Sequence, residues 1–147
     1  MADFRQLSDS VLASPQIEVG DIATAKDLGV TMVVNNRPEG EADDQTPGAE
    51  IEAAARAAGM DYVAIPIGRT GYSAPQIEAM VDALHKTDGK VLAYCRSGTR
   101  STLLWSLAQA QQGANPDAIA EAAADAGYDI SPIRPMVDML ASQSGDT

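Results

Sequence analysis

Three short apolar runs, each followed by a helical pattern, limit what this chain can fold into. Residues 30–34 form a β-branched run, and 62–67 and 91–94 are further strand-length runs, the former carrying Pro66 near its end. Thr46-Pro47 is expected to open a helix as cap and first-turn proline, ending at Gly59. Ser73-Ala74-Pro75-Gln76 has capping-box spacing before Ile77, Met80, Val81 and Leu84. Leu103, Leu104, Leu107 and Ala108 mark the helix after the third run, which ends near Gly113. An earlier short helix is capped by Asp21 and closed by Gly29, and two late ones open at Asn115-Pro116 and Ser131-Pro132. Strand alternating with helix implies an α/β fold, a single parallel-sheet domain flanked by helices. Ligands bind such sheets beyond the carboxyl ends of the strands. The loops that start at Asn35, Gly68 and Cys95 are therefore expected to share one edge. Residues 1–141 are expected to make one domain and 142–147 a disordered tail.

Bulk properties exclude several classes. A length of 147 residues suits one domain with a real core. The formal net charge of −11 argues against partners such as nucleic acid or an anionic membrane surface. No apolar stretch approaches a membrane span, and the first residues lack a signal-peptide layout. A single cysteine precludes an internal disulfide and suits a reducing compartment, so a cytoplasmic location is expected.

That cysteine, Cys95, sits in the run Val91-Leu92-Ala93-Tyr94-Cys95-Arg96-Ser97-Gly98-Thr99-Arg100-Ser101. The order is strand, lone thiol, polar loop with glycine and two arginines, then helix. Free N–H groups and the positive end of a helix dipole favour thiolate over thiol, as does nearby positive charge. Such a loop also suits a tetrahedral anion. A cysteine kept only for packing would require none of these neighbours.

The segments 28–38 and 91–101, with Ala126-Gly127-Tyr128-Asp129 further on, resemble the small bacterial beta-lactamase-hydrolase-like phosphatase family. The resemblance implies a fold like that of dual-specificity and tyrosine phosphatases, with Cys95 as nucleophile; some members are described as sulfurtransferases. Two departures from the phosphatase pattern point toward sulfur chemistry. Only four residues separate Cys95 from Arg100, one fewer than in tyrosine phosphatases, so that Ser101 stands where their arginine does. This shorter spacing resembles the rhodanese loop. The stretch Gly68-Arg69-Thr70-Gly71-Tyr72, where dual-specificity phosphatases carry a general-acid aspartate, has no carboxylate. Glu39, Asp43 or Asp44 could deputise from the neighbouring loop. A third departure is Tyr94, which replaces the usual histidine and is read as a strand-end aromatic packing on the sheet.

The catalytic candidates are Cys95 and Arg100, the latter as the anion-facing guanidinium. Arg96, Ser97, Gly98, Thr99 and Ser101 are candidate anion-binding residues. Arg37 and Arg69 are possible pocket residues; ion pairing of Arg37 with Glu39, Asp43 or Asp44 is the plainer alternative. His85 reads as a solvated helix residue and Trp105 as core. No metal or organic cofactor is implied. The first expectation is a sulfurtransferase that moves sulfane sulfur from thiosulfate or a persulfide through a Cys95 persulfide to a thiol acceptor. The alternative is a phosphatase hydrolysing phosphate monoesters through a phosphocysteine. A third reading, from another class, is an exposed thiol that senses oxidants or anions.

Overall fold

The computed structural model describes residues 3–68 and 71–144. Five strands, β1 (Arg5–Ser8), β2 (Val11–Ser14), β3 (Val30–Asn35), β4 (Asp61–Ala64) and β5 (Lys90–Tyr94), form one sheet in the order β1-β2-β5-β3-β4. Neighbours are parallel except for the hairpin pair β1 and β2. The helices are α1 (Asp21–Asp27), α2 (Gly48–Ala57), α3 (Ala74–Lys86), α4 (Thr99–Gln111), α5 (Pro116–Asp125) and α6 (Arg134–Ser144). The alternation of strand and helix thus yields the α/β sandwich expected of it.

Side-chain alternation along β5 divides the core. Val91 and Ala93 pack with Met80, Leu104, Leu107 and Val137, under α3, α4 and α6, whereas Leu92 and Tyr94 pack with Ile22, Ala25, Ile51 and Ala55, under α1 and α2. A register shift between Val30 and Met32 lets β3 place Met32 and Val34 on the first side and Val30 and Val33 on the second. Helix α4 is buried nearly all round, which fits a central helix covered by α3, α5 and α6.

Several local expectations need correction. The N-terminal hairpin was not anticipated, because four-residue strands such as Arg5–Ser8 are too short to show a period. Strand β4 stops at Ala64; beyond it Ile65 and Ile67 still donate to the carbonyls of Asn35 and Asn36, while Pro66 has no N–H to offer. Helix α2 begins at Gly48, after Pro47, and Thr46 bonds Glu18 rather than the helix. Asp21 accepts from the Glu18 N–H instead of capping α1. Ser131-Pro132 forms a single 3₁₀ turn ahead of α6, and α6 itself runs on to Ser144. The capping box at Ser73 and the Asn115 cap are present.

The fold sends the loops of adjacent strands to opposite faces. The segment after β3 turns toward α2 on one side, and the segment after β5 enters α4 on the other. Their divergence marks the switch point at which open α/β sheets bind ligands.

Candidate active site

Cys95 follows β5 directly and is fully buried at 0% exposure. Its Sγ accepts the Gly98 N–H at 3.1 Å. Gly98 is the residue before α4 and has φ +93°, a left-handed conformation open to glycine at little cost. A Cβ there would lie 2.1 Å from the Tyr128 hydroxyl, so the position also requires the absence of a side chain. The opening N–H groups of α4 have no carbonyl within their own helix, and its first turn carries no acidic residue. The loop thus sets one N–H donor and the positive end of a helix dipole against the sulfur.

Arg100 stands in the first turn of α4, and its charged form is favoured first by Glu41 and then by Cys95. Its Nη1 and Nη2 donate to the two Glu41 oxygens at 2.8 Å each, and Nη1 also donates to the Ile67 carbonyl at 2.9 Å. Arg37, buried to 5% exposure, donates from Nε to Glu41 at 3.0 Å and from Nη1 to Gln16 at 3.0 Å. Glu41 is therefore shared by two guanidiniums. The bond from Arg100, aided by Arg37, holds its carboxyl down at about 2. Gln45 secures this arm by accepting the N–H groups of Glu41 and Ala42 while donating to the Pro38 carbonyl.

The structure brings Cys95, Gly98, Arg100 and Arg37 together, the last through Glu41 rather than through any of the acids first considered. Ser101 is different. It is fully buried and donates to Asn36 Oδ1 at 2.7 Å, so its hydroxyl fastens α4 to the end of β3 and does not face the anion loop. Ser97 and Thr99 are exposed and hydrogen-bond each other at 3.0 Å. Arg96 is exposed on the rim, its carbonyl accepting the Gln16 N–H. Arg69 lies outside the described residues. Tyr94 packs on the far face of the sheet beside Tyr62, with its hydroxyl buried and unpartnered; burial pushes its ionisation upward. His85 bonds Gln112 at the rim of a surface hollow that Ser10 and Val91 also line, at the opposite end of β5. Trp105 lies in the core.

Four residues that sequence reasoning passed over belong to the site. Glu41 was hidden among four acids of one polar loop, and nothing in its spacing distinguished it. Asn36 is fully buried, donates to the Ile65 carbonyl and takes the Ser101 hydroxyl; a polar residue directly after a buried strand was its only signal. Tyr128 donates to the Ser97 carbonyl at 3.1 Å from more than thirty residues away. Tyr72, in the loop after β4, is pushed up to about 12, first by burial and next by the nearby Cys95. Of the acids proposed earlier, Glu39 accepts the Gly48 N–H at 2.6 Å, and Asp43 and Asp44 are exposed.

A mostly parallel sheet that ends one strand in a cysteine, with the N–H at the start of the next helix on its sulfur and an arginine in that helix's first turn, defines a phosphatase-like Cys-loop domain. Residues 3–112 match the family described as beta-lactamase hydrolase-like protein, phosphatase-like domain, and the chain belongs to that family. It is 40% identical over 86 residues to a beta-lactamase hydrolase-like protein of Xylella fastidiosa, covering 58% of this chain and 20% of the relative. A protein of the same description from Agrobacterium fabrum is 30% identical over 108 residues, or 74% of this chain and 25% of the relative. The chain thus spans only about a quarter or less of the length of these curated relatives.

Among solved structures, a Neisseria meningitidis protein provisionally described as a phosphatase superposes with a TM-score of 0.82 at 28% identity, covering 94% of this chain and 98% of its own. The structure of Pseudomonas aeruginosa TpbA with bound phosphotyrosine superposes at 0.66 with 18% identity, covering 99% of this chain and 91% of its own, a likeness of fold alone. The neighbours are phosphatase-like, as the family resemblance implied. They favour the phosphatase alternative over the sulfurtransferase expectation.

Proposed function

We propose that this domain is a phosphatase that hydrolyses phosphate monoesters through a phosphocysteine. The observation that carries the reading is the Gly98 N–H on Cys95 Sγ at the start of α4, with Arg100 alongside. The Cys95 thiolate attacks phosphorus, the S–P bond forms as the P–O ester bond breaks, and the leaving oxygen departs with the bonding pair. Water then attacks phosphorus, releasing phosphate and the thiolate. The loop N–H groups and Arg100 supply the fixed dipoles and charge that such a transition state needs.

The leaving group narrows the substrate. Glu41, held at about 2, is ionised at neutral pH and has no proton to give. Glu39 is committed to the start of α2. With neither Glu41 nor Glu39 placed to give a proton, the reading favours aryl phosphates, whose phenolate leaves with the least assistance.

A second reading is sulfur transfer, supported by the shortened spacing between Cys95 and Arg100. There the thiolate attacks the outer sulfur of thiosulfate, sulfite leaves, and a thiol acceptor discharges the resulting persulfide. A thiol-based sensor is the third reading, and turnover separates it from both enzymes. One experiment separates the two enzymes. Wild type should release phosphate from an aryl phosphate, and Cys95→Ser should lose that activity with its thermal melt unchanged. A one-sulfur mass gain after thiosulfate, discharged by an acceptor thiol in a sample that releases no phosphate, overturns the phosphatase reading.

A further inference from the structure

We propose that Tyr128 is a positioning residue for the Cys95 thiolate, acting through the single peptide group that joins Ser97 to Gly98. This rests on Cys95 being the reacting thiol and not on which electrophile it attacks.

The Ser97 carbonyl and the Gly98 N–H belong to one planar unit, and in a trans peptide they point in opposite directions. The carbonyl accepts the Tyr128 hydroxyl at 3.1 Å, and the N–H donates to Cys95 Sγ at 3.1 Å. Fixing the oxygen on one side therefore aims the hydrogen on the other. A donor at the carbonyl also polarises the unit and strengthens its N–H as a donor, in the way that chained hydrogen bonds reinforce one another. The next peptide is held as well: the Gly98 carbonyl accepts both the backbone N–H and the hydroxyl of Thr102.

Tyr128 is built to hold this position. It is buried to 9% exposure, and the Arg5 guanidinium lies 5.3 Å from its ring centroid. Arg5 also donates to the Ala126 carbonyl, and the Tyr128 N–H donates to that of Ala123. Burial keeps the phenol protonated above its ordinary range, so it remains a donor. The close approach to Gly98 is possible only because that residue has no Cβ. Residue 128 also lies outside the family match, which ends at 112, so the brace comes from a part of the chain that the match does not cover. Among the described residues, Arg100 from α4, with Glu41 behind it, and Tyr72 from the loop after β4 are also coupled to Cys95.

The test is the pH titration of thiolate ultraviolet absorbance, with Cys95→Ser as blank. Tyr128→Phe keeps the ring and removes only the donor. Its midpoint should rise by about half a pH unit, a fraction of one hydrogen bond felt through a peptide. Arg5→Met, which removes one support of the ring but leaves the hydroxyl in place, should raise the midpoint by less than Tyr128→Phe does. A Tyr128→Phe midpoint equal to or below that of wild type, in a protein that melts normally, overturns the proposal. Should that variant fail to fold, the wild type decides. The Gly98 amide nitrogen and the Ser97 carbonyl carbon must both shift in NMR as the thiol titrates, and either one standing still overturns it. Neither readout depends on turnover, so failure of the phosphatase reading would leave this result intact.

Discussion

Two helices begin at the same edge of this sheet, and the chain finishes them in opposite ways. At α2 the Glu39 carboxylate accepts the Gly48 N–H at 2.6 Å, so a fixed negative charge from the preceding loop closes the start of the helix. At α4 there is no side-chain cap and no acid in the first turn; the Gly98 N–H goes to a thiol. The same dipole thus meets a carboxylate at one strand end and the Cys95 sulfur at the other. The difference is chemical: a carboxylate at a helix start is inert filling, whereas a thiol there sits where the helix dipole favours negative charge, with Ser97 Oγ taking the Thr99 N–H beside it.

The loop after β3 serves both ends. Glu39 anchors it to α2, and two residues later Glu41 bridges Arg37 and Arg100. That bridge uses both Nη1 donors of Arg100, counting the Ile67 carbonyl, and one on Nη2. The Nε–H and the second Nη2–H remain, forming one side of the guanidinium fork on which an oxyanion could sit.

The sharpest way to break the contrast is at the two glycines. Gly98→Ala forces φ +93° on an alanine and drives its Cβ to 2.1 Å from the Tyr128 hydroxyl. Turnover should fall by about a hundredfold, as displacement of a reacting group commonly does, with a lowered melting temperature. Retained activity would show that the loop geometry around Sγ is not needed. Gly48→Ala, at ordinary φ, meets the flexible ends of Asn35, Tyr62 and Glu39 at 2.9–3.0 Å and should be milder in both measures.

A smaller effect is expected at the filled helix start. Glu39→Ala removes the carboxylate that takes the Gly48 N–H, costing about 1 kcal/mol in a denaturant titration while turnover is retained. A large loss of turnover without loss of stability would instead make Glu39 the missing acid, and the contrast between the two helix starts would fail.

How far the sequence foretold this arrangement follows from the range of the interactions. The strand runs, the Ser73 and Asn115 caps and the Cys95 loop are local patterns, with their chemistry written within a few residues, and they were readable. The position of Arg100 at the start of α4 was readable for the same reason; its bridge to Glu41 was not. Glu41 reaches Arg100 across 59 positions and Ser101 reaches Asn36 across 65, and no local pattern carries pairings of that kind. Ser101 was misread because its loop neighbours suggested an anion ligand, whereas the first turn of α4 rotates it inward. The β1–β2 hairpin escaped because its strands are shorter than the two-residue period needs in order to stand out.

The smallest effect tests the Glu41 bridge by pH. Its carboxyl falls from an ordinary 4.5 to about 2 because Arg100, with Arg37, stabilises the charged form. A carboxyl depressed by folding contributes stability that is fully present above the ordinary value and is lost as pH falls through the depressed one. The wild-type melting temperature should therefore decline between about pH 4.5 and 2, and part of that decline should vanish in Glu41→Gln, which has nothing to protonate. The difference should be modest, since the Glu41 and Arg100 side chains are 27% and 24% exposed and solvent screens them. Parallel acid limbs in the two proteins would mean that the bridge contributes no net stability. In that case its place beside the thiol would have to be explained by the orientation of Arg100 alone.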